Sequence, residues 1–313
     1  MKYSLKKSPH IAILMCTYNG EKYLKEQLDS FENQKYSYWT LFVSDDGSKD
    51  ETLAILKSYQ KRWGKDKLHI LKGPGINYQT NFLKLIKNPN IKRDFYFLSD
   101  QDDIWMPHKI SHTLKKLSKL NLLKPCLYCA RSTYVSSDAK KILGHSAIFY
   151  KVPSFKNAIV QSIAGGNTMA FNNALRDIVN QFNRPKVASH DWWLYILNEL
   201  SRGKTLYDVE STILYRQHSK SLFGANTGFE AKLKRFQMLL KGVYRQYNTT
   251  HLETLRHLKI STSKANLRLI NQFYTLRDKG INQRISMIKN LGIYRQTCDT
   301  HLALYLAAIL RKL

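Results

Sequence analysis

The stretch "FYFLSDQDDIW" (Phe95 to Trp105) is an apolar run that opens onto Asp100, Asp102 and Asp103. On an extended segment alternate side chains point the same way, so Asp100 and Asp102 share a side while Gln101 turns aside. Two hard oxygen donors on one side suit Mg²⁺ or Mn²⁺. These ions commonly take one or two carboxylates and fill their other positions with water and substrate phosphate oxygens. A cation there would neutralise the carboxylates and present positive charge to a diphosphate. A lone DxD recurs by chance and can be a solvated turn; the apolar strand leading into this one argues against that reading.

Other short polar groups punctuate the chain. "CTYNG" supplies Thr17 and Asn19, and "VSDDGSKDET" supplies Asp45 and Asp46. These could hydrogen-bond a nucleotide base or ribose, although Asp, Gly and Ser are also ordinary turn chemistry. "SHDWW" sets Asp191 just before an apolar helix beginning at Trp192. Taken alone, Asp191 is a helix cap, and His190 reads as part of the preceding loop. "YRQHSK" places Arg216 and Lys220 around His218, where they would neutralise a diphosphate or form a solvated basic loop. Trp105, Trp192 and Trp193 offer faces to a sugar ring, or fill core.

The elements that must position these groups alternate. Strands are expected at "HIAILMCT", "WTLFVSD", "LHILKG" and "RDFYFLSD", with helices over "EKYLKEQLDSFENQ", "DETLAILKSYQKRWG" and "NYQTNFLKLIKN". Ser48 or Asp50 is a candidate cap for the second helix, and Gly64 stands just past its end. Alternation implies an α/β fold with a mainly parallel sheet. Ligands of such sheets sit beyond the carboxyl ends of the strands, which gathers Thr17, Asn19, Asp45, Asp46, Asp100 and Asp102 on one edge. From about 110 to 222 the pattern is less regular. "PCLYCARSTYVSS" reads as one strand, "IAGGNTMAFNNALRDIV" as a loop leading into a helix, and "STILYRQHSKSLFG" as a strand leaving the sheet. We therefore expect a catalytic domain over 1–224 and a helical appendage over 225–313. The appendage has no proline and carries 16 Lys and Arg against 4 Asp and Glu, net +12. Apolar residues recur in it at helical spacing, as at Leu233, Phe236, Leu240 and Val243.

The whole chain of 313 residues has a formal charge of +27 and is 43% hydrophobic. That excludes general disorder and implies an anionic partner. No zinc-finger spacing, RNP-like motif or basic arm supports nucleic acid, which stays a distant alternative. No "GxG"-rich basic loop follows the first strand, which disfavours a sugar nucleotidyltransferase. Cys126 and Cys129 form a lone CxxC, read as small buried residues. The apolar run after Lys2, Lys6 and Lys7 is too short for a secretory signal, and no stretch reaches the ~18 apolar residues of a spanning helix. The expected location is cytoplasmic, with peripheral contact to the inner face of the membrane.

Taken together, "IAILMCTYNGEKYLKEQLDSFENQ", "VSDDGSKDET" and "LSDQDDIW" resemble glycosyltransferase family 2, with its GT-A fold. "SDQDDIW", "AGGNTMAFN", "SHDWWLYIL" and "YRQHSKSLFG" are similar, more narrowly, to rhamnosyltransferase-like members that build surface polysaccharides such as O-antigen or capsule. The likeness covers roughly residues 10 to 225. It departs at Gly166-Asn167, where such relatives usually carry a Gly-Cys step.

The resemblance implies a metal-dependent inverting transfer from a dTDP- or UDP-sugar to a glycan or lipid-linked acceptor. Rhamnose is the leading sugar, with glucose or galactose as alternatives. It implies that Asp45 or Asp46 holds the base, Thr17 and Asn19 line the nucleotide, and Asp100 sits near the ribose. Asp102 and His218 would meet the Mg²⁺ or Mn²⁺, and Gly165, Gly166, Trp105, Trp192 and Arg216 would line the donor and acceptor pocket. Inversion needs a carboxylate opposite the leaving diphosphate to deprotonate the acceptor, and Asp191 matches the family's base. The basic helices would meet an anionic membrane that presents the acceptor, pack on the catalytic domain, or pair two chains as a homodimer.

Overall fold

Buried apolar runs ending in polar turns build the sheet in the order the sequence suggests. The computed structural model describes residues 8–183, 185–218, 228–256 and 262–313. Lys220 and the rest of "SKSLFG", and with them the expected boundary at 224, lie outside the described residues. The first half runs β1 (Ile11–Thr17), α1 (Glu21–Glu32), β2 (Trp39–Asp45), α2 (Thr52–Trp63), β3 (Leu68–Lys72), α3 (Tyr78–Ile86), β4 (Phe95–Ser99), β5 (Ile104–Trp105) and α4 (Lys109–Leu117). The middle runs β6 (Cys126–Ala130), β7 (Thr133–Val135), β8 (Ile142–His145), α5 (Phe155–Ala158), β9 (Ala170–Asn172), α6 (Asn173–Asn180), α7 (His190–Leu200), β10 (Lys204–Asp208) and β11 (Ile213–Arg216). Helices α8 (Gly228–Leu240), α9 (Val243–Arg256), α10 (Lys264–Thr275), α11 (Ile281–Leu291) and α12 (Cys298–Ile309) follow.

Seven strands form the central sheet in the order β10-β6-β9-β4-β1-β2-β3. All pairings are parallel except those of β9, which runs antiparallel to both β4 and β6. The register pairs Thr17 with Asp45 and Met15 with Ser99, so the carboxyl ends of β1, β2 and β4 lie level. A second sheet, β5-β11-β7-β8, stands beside that edge.

Three expectations change here. The run "PCLYCARSTYVSS" is two strands: β6 belongs to the central sheet, and the chain then breaks at Arg131-Ser132 to place β7 in the second sheet. The loop after Gly166 contains β9, three residues buried between β4 and β6. His190 is not a loop residue but opens α7, with Ser189 at the N-cap position, so the helix begins two residues before Trp192. Gly64 does end α2, in the positive-φ conformation at φ 92° that glycine adopts without a Cβ clash.

The C-terminal helices pack on the catalytic part. Leu252, Leu255, Leu269 and Phe273 join the same buried cluster as Trp192 and Trp193. Ala188 N donates to His251 Nε2 at 3.1 Å, and the His251 ring lies 4.7 Å from Trp192 and 5.8 Å from Trp193. Thr254 Oγ1 donates to Lys186 O at 2.7 Å, and Gln296 N to Gln161 Oε1 at 2.8 Å. Each fully buried Leu or Phe contributes about 1.5–3 kcal/mol. Four such residues hold the helices down more firmly than the few exposed polar contacts. Leu233, Phe236 and Leu240 on α8 stay exposed. Among the described residues no helix is long and apolar enough to cross a membrane.

Candidate active site

The turn after β1 and the turn after β2 are welded by one carboxylate. Asp45 accepts from Gly47 N at 3.1 Å and Ser48 N at 2.9 Å on Oδ1, and from Thr17 Oγ1 at 2.8 Å and Ser48 Oγ at 2.6 Å on Oδ2. A carboxylate has about four acceptor sites, so Asp45 is fully committed. This corrects the expectation for Asp45, which is buried and shapes the turn with its acceptor sites filled; the buried Thr17 hydroxyl spends its one proton on it. Asp46 takes one bond, from Gly75 N at 2.6 Å, and remains more accessible. Asn19 has positive φ (47°), accepts from Lys49 N at 2.9 Å, and is exposed on the same edge. Cys16 marks the floor. Its thiol pKa is pushed well up, by burial first and then by the charges of Asp100 and Asp46, which places both carboxylates around it.

Gln101 has a role that its residue type did not announce. Its Oε1 accepts from Tyr18 N at 2.9 Å and its Nε2 donates to Tyr18 O at 3.1 Å, so the side-chain amide pairs with backbone as a strand would. Gly20 makes room for it: a Cβ there would sit 2.4 Å from Gln101 Oε1. The DxD turn is thereby fixed to the turn after β1.

The three aspartates of the turn diverge in environment. Asp102 Oδ2 accepts from His218 Nε2 at 2.9 Å, both side chains keeping some solvent contact. Asp100 has its carboxyl pushed up to about 7, by burial first and then by the charges of Asp102 and Asp191. Asp103 is 0% exposed. It accepts from Asn167 Nδ2 at 2.7 Å and Arg216 N at 3.2 Å. Burial pushes its carboxyl well up, and those two bonds oppose the shift.

Arg216 corrects another expectation. It is not a pocket cation reaching for phosphate but a buried brace. Its Nε donates to Asp102 O at 2.9 Å, Nη1 to Ser137 O at 2.6 Å and Nη2 to Glu26 Oε2 at 2.8 Å. The guanidinium lies over Tyr23 at 4.6 Å, and the Tyr23 ring lies 4.8 Å from that of His218, tilted by 33°. β11 thus delivers His218 to Asp102 with its approach fixed by Arg216.

Opposite stands Asp191 in the first turn of α7. Its Oδ2 accepts from Gly166 N at 3.2 Å and its Oδ1 from Trp192 N at 2.6 Å. It is not the N-cap, since Ser189 holds that position. His190 is buried, stacked on Phe82 at 4.0 Å, and burial lowers its pKa. A Cβ on Gly166 would fall 2.6 Å from His190 Nε2. Gly165 leads into this loop in extended conformation. Tyr78, unremarked in the sequence, has its hydroxyl pKa raised by burial first and then by charges that include those of Asp191 and Asp100.

The tryptophans belong to the core. Trp105 is 1% exposed, edge-on to Phe31 at 4.8 Å. Trp192 is buried against His251 with Nε1 donating to Ala158 O at 2.6 Å. Neither presents a face to a sugar, which corrects the pocket expectation for both.

The carboxyl ends of the strands thus bring together the carboxylates of Asp46, Asp100 and Asp102, the His218 bonded to Asp102, and Asp191 at the start of α7. The family model described as "Glycosyl transferase family 2" matches residues 12–179. The chain belongs to that family. It is 30% identical to "dTDP-rhamnosyl transferase RfbG" of Shigella flexneri over 85% of this chain and 94% of that protein. It is 24% identical to an uncharacterized glycosyltransferase, RT0329, of Rickettsia typhi over 90% of this chain and 95% of that protein. Among solved structures it is similar to S. aureus TarS in complex with UDP-GlcNAc (TM-score 0.52, 16% identity, 97% of this chain and 88% of that one). It is also similar to the mannosyltransferase PcManGT of Pyrobaculum calidifontis in complex with GDP-Man and Mn²⁺ (TM-score 0.50, 13% identity, 98% and 88%). The fold is GT-A, and this glycosyltransferase is an enzyme of the transferase class.

Proposed function

We propose that this enzyme is a divalent-cation-dependent inverting glycosyltransferase that moves L-rhamnose from dTDP-rhamnose to a growing surface polysaccharide or lipid-linked oligosaccharide. The observation that supports the mechanism is that one carboxyl, Asp100, feels the charges of both Asp102, which His218 bonds, and Asp191. The donor sugar rests on the similarity to the dTDP-rhamnosyl transferase. A glucosyl or galactosyl donor is the alternative.

The residues fit Mg²⁺ or Mn²⁺. Asp102 and His218 are a two-member donor set, and among the described residues no three His, Cys, Asp or Glu side chains converge. That suits an ion completed by water and diphosphate oxygens rather than a closed protein cage. When bound, the cation would supply charge neutralisation for the departing diphosphate. The chain's own groups do the rest. Asp46 and Asn19 hold the nucleoside on the outer edge, and Asp100 stands at the ribose end. Asp191 takes the proton from the acceptor hydroxyl on a lone pair left over, since each of its oxygens accepts only one backbone amide. Gly166 N keeps that carboxylate facing the pocket. The basic helices, with α8 foremost, bring the enzyme to an anionic membrane carrying the acceptor.

The test is a nucleotide-sugar panel assayed with Mn²⁺ and with EDTA. Turnover of dTDP-rhamnose that needs the cation and falls at least 10³-fold in Asp191→Asn is expected, on the scale of general-base catalysis. Metal-independent turnover, or near-normal transfer by Asp191→Asn, would show the assignment to be wrong.

A further inference from the structure

Asp103 lies behind the site, and two loops that serve different substrates end on it. The DxD turn carries it. The acceptor-side loop reaches it through Asn167 Nδ2 at 2.7 Å, and β11 through Arg216 N at 3.2 Å. From Asn167 the chain steps back one residue to Gly166, whose N holds Asp191 Oδ2. From Arg216 it runs forward two residues to His218, which meets Asp102. Both reactive sides of the site are thus one or two residues from a single buried carboxylate. Asn167 is itself 3% exposed, so its amide has little water to bond instead.

We infer that Asp103 is a positioning residue that sets the distance between the cation pair and the catalytic base by bonding Asn167 and the Arg216 backbone at once. It touches no substrate. Its effect is on geometry: donor and acceptor reach a common register because their loops share one anchor. Asn167 is then the acceptor-loop half of the pair. The inference rests on the roles proposed above for Asp102 and Asp191.

Two single variants and their combination provide the test. Asp103→Asn turns an amide NH₂ toward a partner that also donates, and Asn167→Asp sets two carboxyls 2.7 Å apart. Because small misplacements of reacting groups cost heavily, each single variant should lower kcat for transfer from dTDP-rhamnose about 10- to 100-fold, with donor KM within about threefold. Each should also speed amide hydrogen exchange across residues 165–169. The double variant D103N/N167D reverses donor and acceptor, and the introduced amide oxygen can still accept from Arg216 N. It should recover kcat to within about fivefold of the parent and restore exchange protection. A purely structural role would lower Tm in the single variants without lowering kcat in the protein that stays folded. If Asp103→Asn fails to fold, Asn167→Ala takes its place and should show the same kcat loss with unchanged donor KM. Folded single variants with parental kcat and exchange would overturn the inference, as would a folded double variant as slow as the singles. Exchange is read without substrate. Parent enzyme inert on dTDP-rhamnose would therefore count against the proposed donor, while the exchange data still decide the role of Asp103.

Discussion

Gly166→Ala tests the acceptor side with a single carbon. Gly166 has no positive φ, so alanine is compatible with its backbone and the effect is steric. The added Cβ would lie 2.6 Å from His190 Nε2 and 3.5 Å from Asp191 Cβ. Relieving the first contact to the 3.4 Å of ordinary packing needs a shift of about 0.8 Å. His190 cannot yield by swinging away, since its ring is stacked on Phe82 at 4.0 Å. The start of α7 or the Gly165–Asn167 loop must move instead, and either displaces Asp191 relative to Asp100. Overpacking of this kind costs about 1–3 kcal/mol of stability, and a misplacement near 1 Å costs about 10²-fold in rate. Steady-state transfer kinetics should show kcat down about 10²-fold with donor KM within about threefold, alongside a folded circular-dichroism spectrum. A folded variant with kcat within threefold of the parent would refute the reasoning that Asp191 is held in place through Gly166.

Other perturbations separate the remaining parts. Arg216→Lys keeps the charge but loses the fork that reaches Asp102 O, Ser137 O and Glu26; apparent Mn²⁺ affinity in turnover should fall about tenfold. Burial holds the His251 pKa down at about 3, so the folded protein resists a proton that the unfolded chain accepts near 6.5. Stability from this group is intact above pH 6.5 and is lost as pH falls toward 3, by about 2 kcal/mol between pH 7 and 5. Urea denaturation of His251→Gln should show a flatter dependence over that range. Replacing exposed Phe236 and Leu240 on α8 by Ser should weaken sedimentation with phosphatidylglycerol vesicles severalfold at unchanged Tm. Deleting residues 225–313 should instead leave insoluble protein, because Trp192 and Trp193 lose the cover of Leu252 and His251.

The parallel half of the sheet was legible because β1, β2 and β4 are continuous apolar runs that stop at polar turns, a pattern set by burial on both faces. β9 was not, since three residues between a glycine turn and an Asn cap carry no periodicity. Composition also could not divide "PCLYCARSTYVSS" between two sheets. At the site, residue type pointed to the right turns but not to which oxygens were free. Asp45 and Asp46 are adjacent and chemically alike, and only the four bonds on Asp45 tell the shaping carboxylate from the available one. Arg216 looked like a phosphate cation because its partners Glu26 and Ser137 are distant in sequence. The sequence offered no role for Asp103 for the same reason: its partners Asn167 and Arg216 come from two later elements.

Mn²⁺ binding followed by electron paramagnetic resonance, with dTDP present, tests directly whether Asp102 and His218 hold the cation that a bound nucleotide sugar shares, without requiring turnover or a known acceptor. About one Mn²⁺ should bind per chain, with affinity at least about tenfold weaker in Asp102→Ala and in His218→Ala, as loss of one protein ligand from a sparse site implies. Unchanged Mn²⁺ affinity in both folded variants would contradict that assignment.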